Sequence, residues 1–371
     1  MARSAANPAR PTEKMRVLAW PISTPWNPYT GSVHSNLGAD VTVDGWPGNP
    51  LRKYDVWHLH WPDSLLAIPS DAHALFKVGG MFAAMDFMRA RGTKVIWTMH
   101  NFASHEGRHP KLESWLWRTF IPRVDGAISL SAAGLAMGLE KFPRLREVPT
   151  AVIPHGHYRD LYPAALGNAR EKLGIPAGAK VLLFFGAVRT YKNVDVLIRA
   201  FRGVDCKNCI LYIAGNPNAN DLAEKIRAEA AQDSRVTLKF EFIADKEVAQ
   251  YFEAADLVVL PYREVLNSGS ALLALSMNRP ILVPERGSMG ELQSEFSPAW
   301  VRTFSGPIDS ATLASAIDWA SEPRPSTCPM PPKFDWPHVG AETAAFYRRV
   351  IAGPAAYRAA AETITAGDRS L

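Results

Sequence analysis

Residues 179–217 read AKVLLFFGAVRTYKNVDVLIRAFRGVDCKNCILYIAGNP. An apolar run, AKVLLFFG (179–186), stops at a glycine. A polar loop with two cations, Arg189 and Lys192, leads into NVDVLIRAFRGV, whose apolar positions recur at helical spacing. A second apolar run, CILYIAGNP, closes the stretch. Continuous apolar runs joined through a helix are the pattern of parallel strands buried on both faces. Working outward, LVVLPYR and PILVPE supply two more such strands, with helices between. On the other side lies a polar bridge, HYRDLYPAALGNAREKLGI (157–175), which reads as helical. Beyond it the same rhythm occurs once already: MRVLAWP (15–21), YDVWHLHWP (54–62), TKVIWTMH (93–100), GAISLS (126–131) and TAVIPHG (150–156) read as strands, and 70–90, 111–122 and 132–142 as helices. A rhythm that stops and restarts predicts two Rossmann-like α/β domains facing a cleft. The expected division is a flexible N-terminus over 1–14, a first domain over 15–160, a second over 161–335, and a C-terminal segment, 336–371. Its helix, AETAAFYRRVIAG (341–353), follows the proline-rich EPRPSTCPMPPKFDWP and is expected to pack back on the first domain.

A length of 371 residues suits two domains, and 47% apolar with 21% charged residues suits a folded chain. The net charge of +5 comes from scattered lysines and arginines. That favours anionic ligands or an anionic membrane surface and gives no reason to expect nucleic acid. Three cysteines are too few for a disulfide framework, and Cys206 and Cys209 are expected to be reduced. The first fourteen residues lack the apolar core of a signal peptide. The most apolar long window, 72–88, is interrupted by Lys77 and Asp86 and is too short to span a bilayer. A cytoplasmic protein is the expectation.

In doubly wound sheets ligands sit beyond the carboxyl ends of the strands, and the polar residues cluster there. Gly186, Arg189 and Lys192 at a strand-to-helix junction make an anion site, although the spacing is not that of a P-loop. Asn267, Ser268, Gly269 and Ser270 precede an apolar helix; they can cap it and also admit a pyrophosphate. Gly215 and Asn216 in AGNP and Tyr262 in PYR lie at further strand ends. Most of the ten histidines fall between His58 and His157. His58 and His60 alternate with Leu59, so both point to one face. With Trp61, Asn101, His105, His155, His157 and Arg159, His60 supplies donors and acceptors suited to sugar hydroxyls. No H-E-x-x-H, no second cysteine pair and no Asp-x-Asp occurs, so no metal is expected and the cations must meet diphosphate charge.

In order along the chain, YDVWHLHWP, TMHNFASHE, HGHYRDLY, FFGAVRTYKNV, AGNP, VVLPYREVLNSGSALLALSMNRPILVP and DWPHVG resemble the successive blocks of GT-B glycosyltransferases, and more narrowly of the xanthan-type GDP-mannose:glycolipid 4-β-mannosyltransferases. The resemblance covers about 54–345. It departs from the retaining members of the fold, which carry E-x7-E at this helix: Leu273 stands at the second position, and the first falls at Glu264 or Val265. The resemblance implies an inverting transferase that moves mannose from GDP-mannose to a lipid-linked saccharide in exopolysaccharide assembly. It needs no cofactor beyond the nucleotide sugar, with the acceptor on the first domain and the nucleotide on the second. His100 would hydrogen-bond the donor sugar. Glu106 would be the base, with Asp63 and then Asp160 as alternatives. The helix KLESWLWRTFIPR (111–123) reads either as an interfacial helix holding the enzyme peripherally at a membrane or as a core-facing amphipathic helix. Three other readings share these residues: a UDP-sugar transferase, a nucleotide-sugar epimerase or hydrolase, and a non-catalytic saccharide-binding module.

Overall fold

The computed structural model describes residues 14–24, 27–49, 51–104, 107–263, 265–267 and 269–353. The chain forms two compact units. One comprises residues up to Leu130, Leu135–Pro154 and the chain from Trp336 on; the other comprises Ser131–Gly134 and His155–Asp335. The main division therefore falls at Pro154, six residues before the position expected, and His155–Asp160 belong to the second unit.

The first unit is built on a parallel sheet of β1 (Met15–Trp20), β2 (Val41–Gly45), β3 (Val56–Leu59), β4 (Lys94–Met99), β5 (Gly126–Ser129) and β6 (Thr150–Val152). Their spatial order is β2-β1-β3-β4-β5-β6, with β1 and β3 in register from Val17↔Val56 to Trp20↔Leu59. Every residue of β3 and β5 is buried, which is why these strands read as unbroken apolar runs. The chain leaves β1 for one edge at β2 and then returns to build the other side from β3. The carboxyl ends of β1 and β3 thus flank the point where strand order reverses, where such sheets bind ligands.

The last helix, Trp336–Ala352, belongs to this unit and begins five residues before the predicted 341. Pro337 is its second residue, where a missing N–H costs no intrahelical bond. Phe346 and Tyr347 are fully buried. A side chain on Gly126 would meet Val350 and Phe346 at 2.6 and 3.2 Å, so this strand position must be glycine for the helix to seat.

The second unit carries β7 (Lys180–Phe185), β8 (Cys209–Ala214), β9 (Val236–Lys239), β10 (Leu257–Val259), β11 (Ile281–Pro284) and β12 (Val301–Phe304) in the order β12-β11-β10-β7-β8-β9. Here order reverses between β7 and β10. Three strands, β2, β9 and β12, escape the sequence reading; each is short and mixes apolar with polar residues.

Two expectations are corrected, and one choice left open is decided. Within the bridge 157–175 only Ala169–Lys172 is helical, because Pro163, Gly167 and Gly174 confine it to the run that Asn168 caps. Cys206 and Cys209 form a disulfide in the turn before β8; their Cα atoms are 5.4 Å apart, within the span such a bond requires. Helix Pro110–Phe120 turns Leu116, Trp117 and Phe120 into the core, with Trp117 and Phe120 against Trp97, which is the core-facing alternative of the two. No helix among the described residues is long and apolar enough to cross a membrane.

Candidate active site

In the second unit the loops after β7, β8 and β10 are tied together by backbone. Gly186 N donates to Ala214 O (2.9 Å), Val188 N to Asn216 O (3.0 Å), and Arg263 N to Tyr191 O (2.8 Å). Gly215 has φ +148°, and a Cβ there would sit 2.0 Å from the Gly186 carbonyl oxygen. Only glycine lets the two loops approach this closely. A Cβ on Gly186, itself at φ +116°, would lie 3.0 Å from Ser270 Oγ and 3.6 Å from Lys192 Nζ. The strand end, the lysine and the first turn of helix Gly269–Ser276 thus converge on one small space that the absent side chain leaves open.

Lys192 is buried, with its ammonium 5.1 Å from the Tyr262 ring and 5.9 Å from Phe184. Burial, aided by the nearby Arg189 charge, lowers its pKa against the pull of Tyr191. No carboxylate among the described residues forms an ion pair with Lys192 or Arg189. Arg189 is steadied by Asn218: with its amide nitrogen donating to Val188 O (3.2 Å), Asn218 accepts from Arg189 Nη1 at 3.1 Å. A buried cation, Lys192, beside a half-buried one, Arg189, attracts a multiply charged anion. Tyr158 also borders this helix start. Its hydroxyl is 2.7 Å from where a Gly269 Cβ would be, and it lies 3.1 Å from His155 Nε2. His155 Nδ1 is 2.7 Å from Gly156 O, and burial pushes this histidine's pKa down to about 4, so it is neutral. Leu273 is buried and apolar.

In the first unit a cluster of polar side chains occupies the carboxyl ends of β1, β3 and β4. His34, His58 and His60 are buried. His34 Nδ1 lies 3.0 Å from Ile22 O, and its Nε2 lies 3.5 Å from His60 Nε2. His60 Nδ1 lies 3.1 Å from His100 Nε2. His58 contacts Thr98 Oγ1 (2.7 Å) and Tyr347 OH (2.6 Å). Trp61 stacks on His100, with centroids 4.3 Å apart. Burial holds the pKa of His58 and His60 well below the ordinary range and that of His34 at about 4. One nitrogen from each of His34, His58 and His60 lies within 4.8 Å of the others, a spacing a metal ion can bridge. Among the described residues no carboxylate or thiolate joins them, and both nitrogens of His58 already face hydroxyls.

Asp63 is buried beside this cluster. Its Oδ2 accepts from Asn101 Nδ2 at 2.6 Å, and its Oδ1 has no hydrogen-bond partner among the described residues. Burial pushes its pKa up to about 6, against the lowering effect of Asn101.

Of the residues singled out from sequence, the structure gathers His60, Trp61 and His100 in the first unit, where Asn101 is bonded to Asp63. In the second it gathers Gly186, Arg189, Lys192, Gly215, Asn216, Tyr262, Gly269 and Ser270, with Asn267 just before the helix. His157 and Arg159 hold their own unit together: His157 Nε2 is 3.0 Å from Asp335 Oδ1, and Arg159 reaches Asn278 Oδ1 (3.2 Å) and Cys328 O. Asp160 has a left-handed backbone, φ 61°. Glu106, His105, Ser268 and Glu264 lie outside the described residues. His34, Asn218 and Tyr158 are additions that sequence alone did not single out.

Residues 179–320 match the family described as glycosyl transferases group 1. The chain is 33% identical over 290 residues to the GDP-mannose:glycolipid 4-beta-D-mannosyltransferase of Xanthomonas campestris pv. campestris, covering 78% of each chain. Among solved structures, HepE from Anabaena in complex with UDP-glucose superposes with a TM-score of 0.60 at 16% identity, covering 95% of this chain and 100% of that one. The sucrose-phosphate synthase of Thermosynechococcus elongatus gives 0.59 at 15% identity, covering 96% and 100%. Two parallel six-stranded sheets and a relative this similar over most of its length place the chain among the GT-B glycosyltransferases of group 1, in the family of the Xanthomonas enzyme.

Proposed function

We propose that this glycosyltransferase moves mannose from GDP-mannose to a hydroxyl of a lipid-linked saccharide, with inversion at the anomeric carbon. The observation that carries the donor half is the convergence of Lys192 Nζ, Ser270 Oγ and the bare Gly186 on one space, with Arg189 nearby and no carboxylate partner for either cation among the described residues. The identity of the sugar and nucleotide follows the relative's printed name. In the transfer, the acceptor hydroxyl loses its proton to a carboxylate base, its oxygen bonds to C1 of the sugar, and the C1–O bond to phosphate breaks. The electron pair stays on the diphosphate, whose charge Lys192 and Arg189 offset without a metal. Glu106 was the carboxylate favoured by resemblance. Among the described residues Asp63 has the better claim as base: it is desolvated, its Oδ1 has no hydrogen-bond partner, and burial raises its pKa to about 6.

A lipid-linked acceptor requires work at a membrane surface. Helix Asp71–Ala90 suits that contact, because Leu75, Phe76 and Phe87 are 53%, 75% and 54% exposed and the Arg91 guanidinium lies 5.3 Å over the Phe87 ring. The deciding experiment is product analysis with GDP-mannose and a lipid-linked saccharide, with the anomeric configuration read by NMR. A β-mannosyl product is expected. An α-linked product, or GDP release at the same rate without acceptor, would overturn the reading; preference for UDP- or dTDP-sugars in a thermal-shift screen would overturn its donor.

A further inference from the structure

Asn101 was expected to meet sugar hydroxyls, yet both hydrogens of its amide are engaged within the protein. Its Nδ2 donates to Asp63 Oδ2 at 2.6 Å and to Ala103 O at 3.1 Å. The Ala103 carbonyl can only accept, so the atom facing it is the amide nitrogen. Asp63 Oδ2 faces the same nitrogen and must accept as well. A proton on Oδ2 would set hydrogen against hydrogen. Whenever Asp63 is protonated, the proton therefore sits on Oδ1, the oxygen with no partner among the described residues. The direction of the Asn101 amide is fixed in turn. The Ala103 carbonyl and the Ser104 N–H are the two ends of one planar peptide unit. Ser104 N donates to Glu113 Oε1 at 2.7 Å, so a unit held by Glu113 at one end presents its oxygen to Asn101 at the other. Glu113 stands in the first turn of helix Pro110–Phe120, with Trp117 Nε1 3.5 Å from the same oxygen. The neighbouring cation, Lys141, is turned to the Phe102 carbonyl at 3.0 Å. Glu113 also acts on Asp63 through charge. Burial does most to raise the Asp63 pKa, the Asn101 bond opposes it, and the Glu113 carboxylate adds to it.

We propose that Asn101 and Glu113 are positioning residues, linked through the Ala103–Ser104 peptide, which hold Asp63 with Oδ2 as a fixed acceptor and Oδ1 as the oxygen that takes the proton of the acceptor hydroxyl. This rests on the reading of Asp63 as base. In the step, the O–H bond of the acceptor breaks and its proton goes to Oδ1, while Oδ2 keeps its bond from Asn101. The hydroxyl oxygen bonds to C1 of the sugar, and the electron pair of the broken C1–O bond stays on the diphosphate. Asn101 thus serves the base from inside the protein, and Glu113 reaches the same carboxyl twice, through the peptide it holds and through its charge.

The carboxyl can be followed without any substrate. In full-length protein carrying ¹³C at the aspartate side-chain carboxyls, the signal that disappears in Asp63→Asn is Asp63, and its titration should be centred near pH 6 in wild type. Asn101→Ala removes a bond that favours the charged form and should move the midpoint up. Glu113→Gln removes a like charge, keeps an oxygen for Ser104 N, and should move the midpoint down. Residues that merely support the fold would not shift one carboxyl in opposite directions. Kinetically, kcat/KM should rise with pH through the same midpoints. On the high-pH plateau Asn101→Ala and Glu113→Ala should each lose roughly tenfold in kcat, the scale of one neutral hydrogen bond. The Kd of GDP should be unchanged in both, and Glu113→Gln should recover most of what Glu113→Ala loses. If Asn101→Ala does not fold, the two Glu113 variants decide alone. Midpoints that stay at the wild-type value would overturn the proposal, as would full plateau turnover in Glu113→Ala. If wild-type turnover does not follow the Asp63 titration, the base reading fails, while the carboxyl midpoints still decide whether Asn101 and Glu113 hold Asp63.

Discussion

Replacing Asp63 with asparagine should stabilise the protein while disabling it. The Asp63 carboxyl is 6% exposed, accepts one bond from Asn101, and has no partner for its other oxygen among the described residues. Burial raises its pKa from 3.8 to about 6. Below about pH 4 the group is neutral in both folded and unfolded chains, and its protonated form adds full stability to the fold. As pH rises through about 6 that contribution is lost, because the folded chain must then hold an ionised carboxylate away from water. A shift of about two units at 1.36 kcal/mol each puts the loss at roughly 3 kcal/mol. Asparagine is neutral throughout and keeps an oxygen for Asn101. Thermal unfolding of Asp63→Asn and wild type, followed by circular dichroism, should therefore coincide near pH 4. At pH 8 the variant should be higher by roughly 6–12 °C, at about 2–4 °C per kcal/mol. Turnover of the variant should fall roughly 10²–10⁴-fold, and wild-type kcat/KM should rise with pH through about 6. A gap in Tm that does not change with pH, or a variant less stable at pH 8, would refute the desolvation argument. Near-full turnover would remove Asp63 as base, and a large loss in Glu106→Gln measured alongside would return that role to Glu106.

Arg189→Ala and Lys192→Ala should each weaken GDP binding roughly 10–100-fold, as expected for one charge-assisted hydrogen bond; calorimetry showing no change in either would misplace the diphosphate. EDTA should leave turnover intact, and loss restored by Mn²⁺ or Mg²⁺ would point to a metal-held donor. Phe76→Glu with Phe87→Glu should abolish flotation with vesicles containing phosphatidylglycerol and leave GDP affinity unchanged; flotation of the double variant would rule out helix Asp71–Ala90 as the lipid contact.

The strands buried on both faces were legible because burial favours apolar residues: VWHL, KVIWTM and KVLLFF stand out even with His58 and Thr98 buried among them. The edge strands were not. VTVDG in β2 and VTLK in β9 are only partly buried, and runs of five and four residues are too short for their alternation to stand out. Helix Pro110–Phe120 shows a different limit. Its amphipathic pattern is the same whether the apolar face meets protein or lipid, and only the presence of Trp97 opposite decides. At the site, Gly186, Arg189 and Lys192 could be suspected because they share one loop. His34 could not, since it sits on the short helix Tyr29–Ser35, 26 residues from His60, and no local spacing links them. Asn218 likewise gains its meaning only from the bridge that pairs Val188 with Pro217.

The last helix has a consequence for how the chain is made. The second unit consists almost wholly of one continuous stretch, His155–Asp335, and its sheet is complete once that stretch has been synthesised. The first sheet is finished much earlier in translation, yet it lacks Tyr347, the partner of His58, and the Phe346 and Val350 side chains that cover Gly126, until the final helix emerges. Domains ordinarily fold in the order in which they are translated. Here the domain begun first is closed last, and its unfilled histidine core must wait while the second domain forms. A nonsense codon just after Asp335 would therefore leave the second domain whole and cost the chain its first.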